Sequence, residues 1–212
     1  MESPLILGSA IPDIGLIGMT DFGRFAHFEW YGSFNLDAII AKFNAAIPDF
    51  IDYYEDSFID AVRIFIGTVK THSNAEALWF TIRFSKPNHE FDSPRWHRDG
   101  RMFTGGATKY ICTLLGPQTL LLAETPVVTA YCVGHNYEAN REMLAEVLQH
   151  EPKIELKPRQ MFRITCGTSN SPVHSEPKVD SPRIFVSAVP GTKEQIKEMT
   201  RRREVADGFY EC

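Results

Sequence analysis

Cysteine is scarce in this sequence, and the few cysteines lack the close pairing that a disulfide framework or a zinc site needs. The chain of 212 residues has four, and no two of them form a CxxC pair. Such spacing is typical of reduced thiols inside a cell. Long apolar runs are lacking too, because none reaches the length of a membrane span. The sequence therefore predicts a soluble, cytoplasmic protein with no membrane partner.

Positive charge is not in excess either. The chain has 22 lysines and arginines against 27 aspartates and glutamates, which gives a formal net charge of −5. Overall charge therefore argues against a nonspecific grip on nucleic acid, although Arg95, Arg98 and Arg101 form a local cluster. We accordingly favour a small molecule or a protein side chain over long nucleic acid as the substrate. The sequence leaves the oligomeric state open.

The first 19 residues lack the features of a signal peptide. They are apolar, but they have no basic segment at the start and are interrupted by Pro4, Pro12 and Asp13. This composition predicts an extended segment that packs on the domain. Internal repeats and low-complexity tracts are also missing, so we expect residues 1–212 to form a single domain.

Large apolar residues are abundant, with 15 phenylalanines among them, and their spacing changes along the chain. Residues 36–47 show helical spacing that ends at Pro48, and a second helix is predicted within 49–66. Further helices are predicted at 136–150 and 192–203. Short strands bounded by turn residues are predicted at 77–84, 109–116, 119–123, 127–134, 153–158, 160–166 and 182–191.

These elements predict a mainly β fold with flanking helices, of the barrel or jelly-roll kind. The strand predicted at 77–84 has two alternating sets of residues. Its even positions, from 78 to 84, are apolar, and its odd positions include Trp79, Thr81 and Arg83. Alternation of this kind places the two sets on opposite faces of the strand. The single domain would consist of a helical lead-in at 1–75, a jelly-roll core at 77–191, and a C-terminal helix and tail at 192–212.

The stretch SPRWHRDG, at 94–101, contains the first candidate metal ligands. In an extended segment, residues two positions apart point to the same side, so His97 and Asp99 would project together. One offers an imidazole nitrogen and the other a carboxylate oxygen. A second histidine would complete the facial triad of non-haem Fe(II) sites. The pair alone is also compatible with a solvated turn, because His-x-Asp occurs by chance in many proteins.

A second stretch, at 169–191, supplies the remaining candidates. His174 follows a turn that contains a proline, and Arg183 opens a predicted strand nine positions later. On that strand Arg183, Phe185 and Ser187 share one face. A guanidinium group inside a barrel needs a partner, and its forked geometry suits the carboxylate of a bound dicarboxylate.

Taken in order, the His-x-Asp pair, the distant histidine and the arginine beyond it resemble the signature of Fe(II)- and 2-oxoglutarate-dependent dioxygenases. The match covers residues 77–191, about half of the chain. The resemblance implies a double-stranded β-helix, in which His97, Asp99 and His174 bind Fe(II). It implies that Arg183 binds the far carboxylate of the cosubstrate 2-oxoglutarate. The reaction implied is hydroxylation or demethylation of an unidentified substrate, with release of succinate and carbon dioxide.

One position departs from the family pattern. Many relatives carry a serine two positions after the arginine, where this chain has Phe185, and Ser187 comes one step later on the same face. Ser187 is therefore one candidate for the second contact to the cosubstrate. Tyr110 is another, because family members often carry a tyrosine on the strand after the His-x-Asp loop. Tyr110 could instead be a half-buried core residue.

Two other functions remain open from the sequence alone. The chain could be a catalytically silent jelly-roll module that binds a ligand or partner without turnover. It could also be a cupin-like metalloenzyme that does not use 2-oxoglutarate. In the cupin-like enzyme Arg183 would have a structural role. Taken singly, His174 could also be a surface histidine, and Arg183 could form a structural ion pair with Asp99 or Asp180.

The arginine-rich surroundings of the candidate site also have two interpretations. Arg95, Trp96, Arg98 and Arg101 would rim the mouth of the pocket. There they could steer an anionic or aromatic substrate. They could equally be ordinary solvated arginines and one packed tryptophan.

Overall fold

The computed structural model describes residues 4–12, 26–46, 51–87, 93–100, 103, 106–132, 141–167 and 171–207. Nine strands and five helices lie in this part of the chain. The strands are β1 (Leu5–Ala10), β2 (Ala26–Ser33), β3 (Ala77–Ser85), β4 (Ala107–Leu115), β5 (Leu120–Leu122), β6 (Lys153–Ile154), β7 (Gln160–Cys166), β8 (His174–Ser175) and β9 (Arg183–Gly191). The helices are α1 (Leu36–Ala46), α2 (Ile51–Ser73), α3 (Pro126–Tyr131), α4 (Arg141–Val147) and α5 (Lys193–Asp207).

The strands form two antiparallel sheets. The larger has six strands in the order β1-β7-β4-β9-β3-β2, and the smaller has three in the order β6-β5-β8. The prediction of a mainly β fold with flanking helices is therefore confirmed. Closure of the sheets into a jelly-roll barrel stays a prediction. No helix in the described part of the chain combines the length and the apolar character that crossing a membrane requires.

The two faces of the large sheet have different surroundings, and this difference positions the site. Apolar residues on one face, such as Phe80 of β3, pack against α1 and α2 in the main core. Phe65 of α2 lies 6.0 Å from Phe80 between ring centroids. On the opposite face, Thr81 and Arg83 of β3 line a cavity. The alternation predicted for this strand therefore separates the core from the candidate site.

One predicted strand is wrong. The sequence pattern predicts a strand at 127–134, but α3 occupies Pro126–Tyr131, and residues 133–134 lie outside the described part of the chain. The helix begins there because Thr125 caps it, accepting a hydrogen bond from the backbone N–H of Val128. Pro126 then occupies the first turn, where its missing N–H costs nothing.

Other predicted elements differ in extent. The lead-in at 1–75 contains α1 and α2, but it also contributes β1 and β2 to the large sheet, so it is only partly helical. The N-terminal extended segment appears in part as β1, which pairs with β7. The helix predicted at 136–150 is described only as α4, because residues 133–140 lie outside the described part of the chain.

Candidate metal centre

Two backbone hydrogen bonds bring the two candidate histidines together. The N–H of His97 donates to the carbonyl of His174 over 2.9 Å, and the N–H of His174 donates to the carbonyl of His97 over 2.9 Å. This isolated antiparallel bridge joins the loop before β4 to β8. Residues 77 positions apart in the sequence are thereby fixed side by side. The side chains follow, with their ring centroids 4.4 Å apart.

The carboxylate of Asp99 lies near the Nε2 atom of each imidazole ring. Its Oδ1 is 3.7 Å from Nε2 of His97, and its Oδ2 is 3.6 Å from Nε2 of His174. The backbone carbonyl of Asp99 accepts hydrogen bonds from the N–H of Gly167 and the hydroxyl of Ser171. These contacts hold the loop against the end of β7. One ligand atom from each of the three residues lies within 4.8 Å of the others.

Backbone carbonyls fix which nitrogen of each histidine faces the carboxylate. Nδ1 of His97 lies 2.8 Å from the carbonyl oxygen of Arg95, and Nδ1 of His174 lies 3.1 Å from that of Pro172. A carbonyl only accepts hydrogen bonds, so each Nδ1 carries the proton. Each Nε2 therefore carries a lone pair, and each lies within 4 Å of an Asp99 oxygen. An outer hydrogen bond of this kind typically orients histidines that bind metal ions.

The donor set fits a divalent metal ion. Imidazole nitrogens and carboxylate oxygens bind such ions at roughly 2.0–2.2 Å, so two ligands of one ion lie no more than about 4.4 Å apart. Both histidine–aspartate separations are within this limit. Burial lowers the pKa of His174 to about 4, even though Asp99 and a backbone contact oppose the change. His174 is therefore neutral at pH 7, the state in which an imidazole binds metal.

Lys109 of β4 adds a positive charge that sequence analysis did not identify. Its Nζ lies 2.9 Å from Oδ2 of Asp99. Burial alone would raise the pKa of Asp99, but Lys109 and the two histidines hold it well below its ordinary value. Asp99 in turn raises the pKa of Lys109 against the effect of burial. Both groups are charged at neutral pH, and Asp99 is ready to bind a cation.

The triad opens into a cavity of about 160 Å³ on the face of the large sheet away from α1 and α2. Arg183 lines this cavity and is 1% exposed. Its Nε donates to the carbonyl of Pro117 over 2.9 Å, and one terminal nitrogen donates to the hydroxyl of Thr119 over 3.1 Å. The guanidinium group lies 5.0 Å from the ring centre of Phe185. These contacts hold the guanidinium group of Arg183 in a buried part of the cavity.

The other two predicted cosubstrate contacts have different positions. Ser187 lines the cavity on the same face of β9 as Arg183 and Phe185, as the alternation predicts. Tyr110 is 1% exposed and belongs to the main core. Its neighbours in β4, Lys109 and Ile111, face the cavity instead. Because alternate residues of a strand point to opposite faces, the structure does not bring Tyr110 to the site.

The residues around the His-x-Asp pair divide between the cavity and the interior. Arg95 lines the cavity. Trp96 is 1% exposed and packs in a separate apolar cluster. Arg98 is also buried, and it donates to the carboxylate of Glu124 and to the carbonyl of Cys132. Arg101 lies outside the described residues.

Comparisons with known proteins place few constraints on this site. A scan against protein-family models finds no match, and a search of curated proteins finds none either. Among solved structures, the chain is similar to a prolyl-4-hydroxylase of Pseudomonas putida, with 11% sequence identity and a TM-score of 0.35. The alignment covers 84% of this chain and 75% of the other. A likeness of this size carries no argument about function, which therefore has to come from the site itself.

Proposed function

We propose that this protein is an Fe(II)- and 2-oxoglutarate-dependent oxygenase that hydroxylates or demethylates an organic substrate. One observation carries the proposal. The two histidines and the carboxylate of a facial triad converge on the wall of a cavity that also contains a buried arginine. This set supplies the ligands for an iron ion and a guanidinium group for a dicarboxylate.

The three candidate ligands would hold an ion from one side. His97, Asp99 and His174 all line the cavity, so the remaining coordination positions would face the cavity interior. Open positions of this kind are the feature that distinguishes a catalytic metal site from a structural one. Lys109 neutralises part of the Asp99 charge through its contact with Oδ2.

Arg183 would bind the far carboxylate of 2-oxoglutarate through its forked N–H groups. Thr119 supports the guanidinium group, and the Ser187 hydroxyl lines the same cavity as a second hydrogen-bond donor. Phe185 supplies an apolar surface beside the arginine. Because Arg183 is almost fully buried, a carboxylate that binds it leaves water, and each hydrogen bond gains strength.

Bound iron would supply the activation of molecular oxygen, with 2-oxoglutarate as the two-electron reductant. One oxygen atom enters a C–H bond of the substrate to form an alcohol, and the other enters succinate as carbon dioxide leaves. Where that C–H bond belongs to an N-methyl group, the alcohol breaks down to formaldehyde and the demethylated amine. The apolar members of the cavity lining, such as Ile111 and Phe185, would help to keep water away from the reacting atoms.

A second candidate function is favoured by Lys109. Its ammonium group already occupies one oxygen of Asp99 and supplies a positive charge beside both histidines. A module that binds an anionic ligand without a metal ion would have the same arrangement. The two functions differ in their need for a divalent ion.

Anaerobic addition of Fe(II) and 2-oxoglutarate tests the proposal. The oxygenase should develop a visible charge-transfer band, and admission of air should then release succinate once a substrate is present. Asp99→Ala should abolish the band, whereas Asp180→Ala, which changes an exposed aspartate, should leave it intact. No band in the folded wild-type protein would favour the module that binds an anion without a metal ion. A band without succinate would favour a catalytically silent site, and metal binding that ignores 2-oxoglutarate would favour a cupin-like enzyme.

A further inference from the structure

The cavity is cationic although the whole chain is acidic. Among the described residues that line it, five carry a positive charge and two carry a carboxylate. The chain as a whole has a formal net charge of −5. A concentration of one sign in a cleft attracts ligands of the opposite sign. The five cationic residues are Arg83, Arg95, Lys109, Arg183 and Arg203.

Three of these cations form an outer set that differs from Arg183. The side chains of Arg83, Arg95 and Arg203 are 30%, 28% and 23% exposed, whereas Arg183 is 1% exposed. They come from three separate segments: β3, the loop before the His-x-Asp pair, and α5. The fold therefore brings three guanidinium groups from distant parts of the chain to the opening of one cavity. We call Arg83, Arg95 and Arg203 the outer arginines.

Ion pairs hold the outer arginines in place. Arg83 and Arg95 both approach Oε1 of Glu176, at 3.6 and 3.0 Å. Arg203 lies 3.0 Å from Oε1 of Glu29, which also lies 3.4 Å from His27. If the carboxylate of Glu29 is added to the two that line the cavity, five cationic side chains still outnumber three carboxylates. Guanidinium groups fixed in this way lose little conformational entropy when a ligand binds.

Aromatic side chains lie next to this cationic opening. The guanidinium carbon of Arg203 is 5.5 Å from the ring centre of Trp79. Trp79 stacks on Phe103 with ring centroids 5.8 Å apart and an interplanar angle of 25°. Both rings line the cavity. A ligand here would therefore meet a guanidinium group and aromatic side chains next to each other.

We infer that the substrate is a small aromatic or apolar carboxylate whose anionic group binds to the outer arginines. The inference rests on the proposed function, because Fe(II) and the 2-oxoglutarate dianion would cancel each other's charge and leave the cationic excess in place. Arg183 would already bind the cosubstrate, so the anionic group of the substrate would bind to the outer arginines. Because iron and 2-oxoglutarate would fill much of the cavity of about 160 Å³, the substrate would be a small molecule bound toward the more exposed side chains of the outer arginines.

Binding of sodium benzoate tests the inference, with neutral benzamide as the matched probe. The protein is loaded with Mn²⁺ in place of iron, saturated with 2-oxoglutarate without oxygen, and titrated by calorimetry. Benzoate should bind at least about tenfold more tightly than benzamide, as expected for one charge-assisted contact. Phenyl phosphate that binds more tightly than benzoate would overturn the choice of a carboxylate. Equal affinity for benzoate and benzamide would overturn the inference altogether.

Variants locate the benzoate site. Arg83→Gln and Arg203→Gln should each weaken benzoate binding about tenfold or more, and each should leave Mn²⁺ and 2-oxoglutarate affinity unchanged. Arg201→Gln is the control, because Arg201 is an exposed arginine of the same helix as Arg203 and pairs with Glu198. Unchanged benzoate affinity in both folded variants would contradict the inference. Loss of 2-oxoglutarate binding in the wild-type protein would instead contradict the proposed function, and the variants still report on benzoate.

Discussion

At the residue scale, the site depends on hydrogen bonds that give each group one role. The carbonyl groups of Arg95 and Pro172 hold the protons of the two histidines on Nδ1, and this leaves Nε2 for a metal ion. Lys109 keeps the carboxylate of Asp99 charged inside the protein. Each of these roles is performed by a side chain or a backbone group of the protein itself.

Replacing Arg183 should separate cosubstrate binding from metal binding. Arg183→Gln removes the guanidinium group, so we expect 2-oxoglutarate affinity to fall about 10- to 100-fold, as charge-assisted hydrogen bonds are lost. Mn²⁺ affinity should change little, because Arg183 is not one of the three ligands. Calorimetry measures both constants. An unchanged 2-oxoglutarate affinity in a folded variant would remove Arg183 from the proposed site.

Replacing Lys109 should make stability depend on metal. Lys109→Met leaves the Asp99 carboxylate buried without its ammonium partner, which typically costs roughly 3–5 kcal/mol. A divalent ion should restore much of this loss, because it neutralises the same carboxylate. Urea unfolding with and without Mn²⁺ measures the effect.

The exposed Lys178 provides the control for that experiment. Lys178→Met should leave the free energy of unfolding within about 0.5 kcal/mol of the wild-type value. A Lys109→Met protein that is equally stable with and without Mn²⁺ would show that the lysine and the ion do not share a partner.

Sequence reasoning identified the members of the site that belong to a short pattern. His97, Asp99 and His174 are recognisable because they belong to an ordered pattern. A histidine and an aspartate two positions apart are followed by a second histidine and then by Arg183, which opens a strand. Lys109 and Arg203 have no such pattern, since only the pairing of strands and the packing of α5 bring them to the cavity. Tyr110 shows the same limit of sequence reasoning, because the pattern suggested it for the site but its side chain belongs to the main core. Its neighbour Lys109 could have been selected from strand alternation, had the orientation of β4 been known.

At the element scale, strand alternation was the most reliable sequence signal. In β3 and β9, alternate residues face the core and the cavity, as the pattern predicts. The helix α3 was misread because β-branched residues outweighed the capping signal of Thr125 and Pro126. The strand β2 was not predicted, and it is held in place by a long antiparallel pairing with β3 that no local pattern reveals.

The turn after β4 ties the position of Arg183 to a glycine. Gly116 has φ of +81°, and a Cβ atom there would lie 2.3 Å from the carbonyl oxygen of Pro182 and 3.2 Å from Cβ of Arg183. Gly116→Ala should therefore destabilise the protein by more than the roughly 1–2 kcal/mol of backbone strain alone, and it should weaken 2-oxoglutarate binding. Thermal unfolding and calorimetry measure the two effects.

Gly106 offers a matched control for this turn. Its φ is +79°, but a Cβ atom there would meet nothing within 4 Å. Gly106→Ala should cost only the strain of about 1–2 kcal/mol and leave 2-oxoglutarate affinity unchanged. Equal losses of stability in the two variants would show that the contact with Pro182 has no energetic consequence.

At the scale of the whole molecule, the site joins parts of the chain that are far apart in sequence. The helices α1 and α2 cover one face of the large sheet, and the ligands meet on the other. An ion bound there would add a further link between the loop before β4 and β8, beside the backbone hydrogen bonds between His97 and His174. Metal binding should thus stabilise the fold and not merely the site.

Thermal unfolding measures this stabilisation. At a free Mn²⁺ concentration 100 times its dissociation constant, the gain is about 2.7 kcal/mol, which corresponds to a rise in Tm of roughly 5–10 °C for a chain of this size. Asp99→Ala should remove the rise. If the variant and the wild-type protein gain equally, the ion binds somewhere else on the surface.

The most direct measurement of the central claim is a crystal structure of the protein grown with Mn²⁺, with anomalous diffraction to locate the ion. We predict a single strong peak bonded by Nε2 of His97, Nε2 of His174 and a carboxylate oxygen of Asp99, each at about 2.0–2.2 Å. Its remaining coordination positions should face the cavity that contains Arg183. A metal-loaded crystal with no peak between these three residues, and with Lys109 still the only cation on Asp99, would contradict the account.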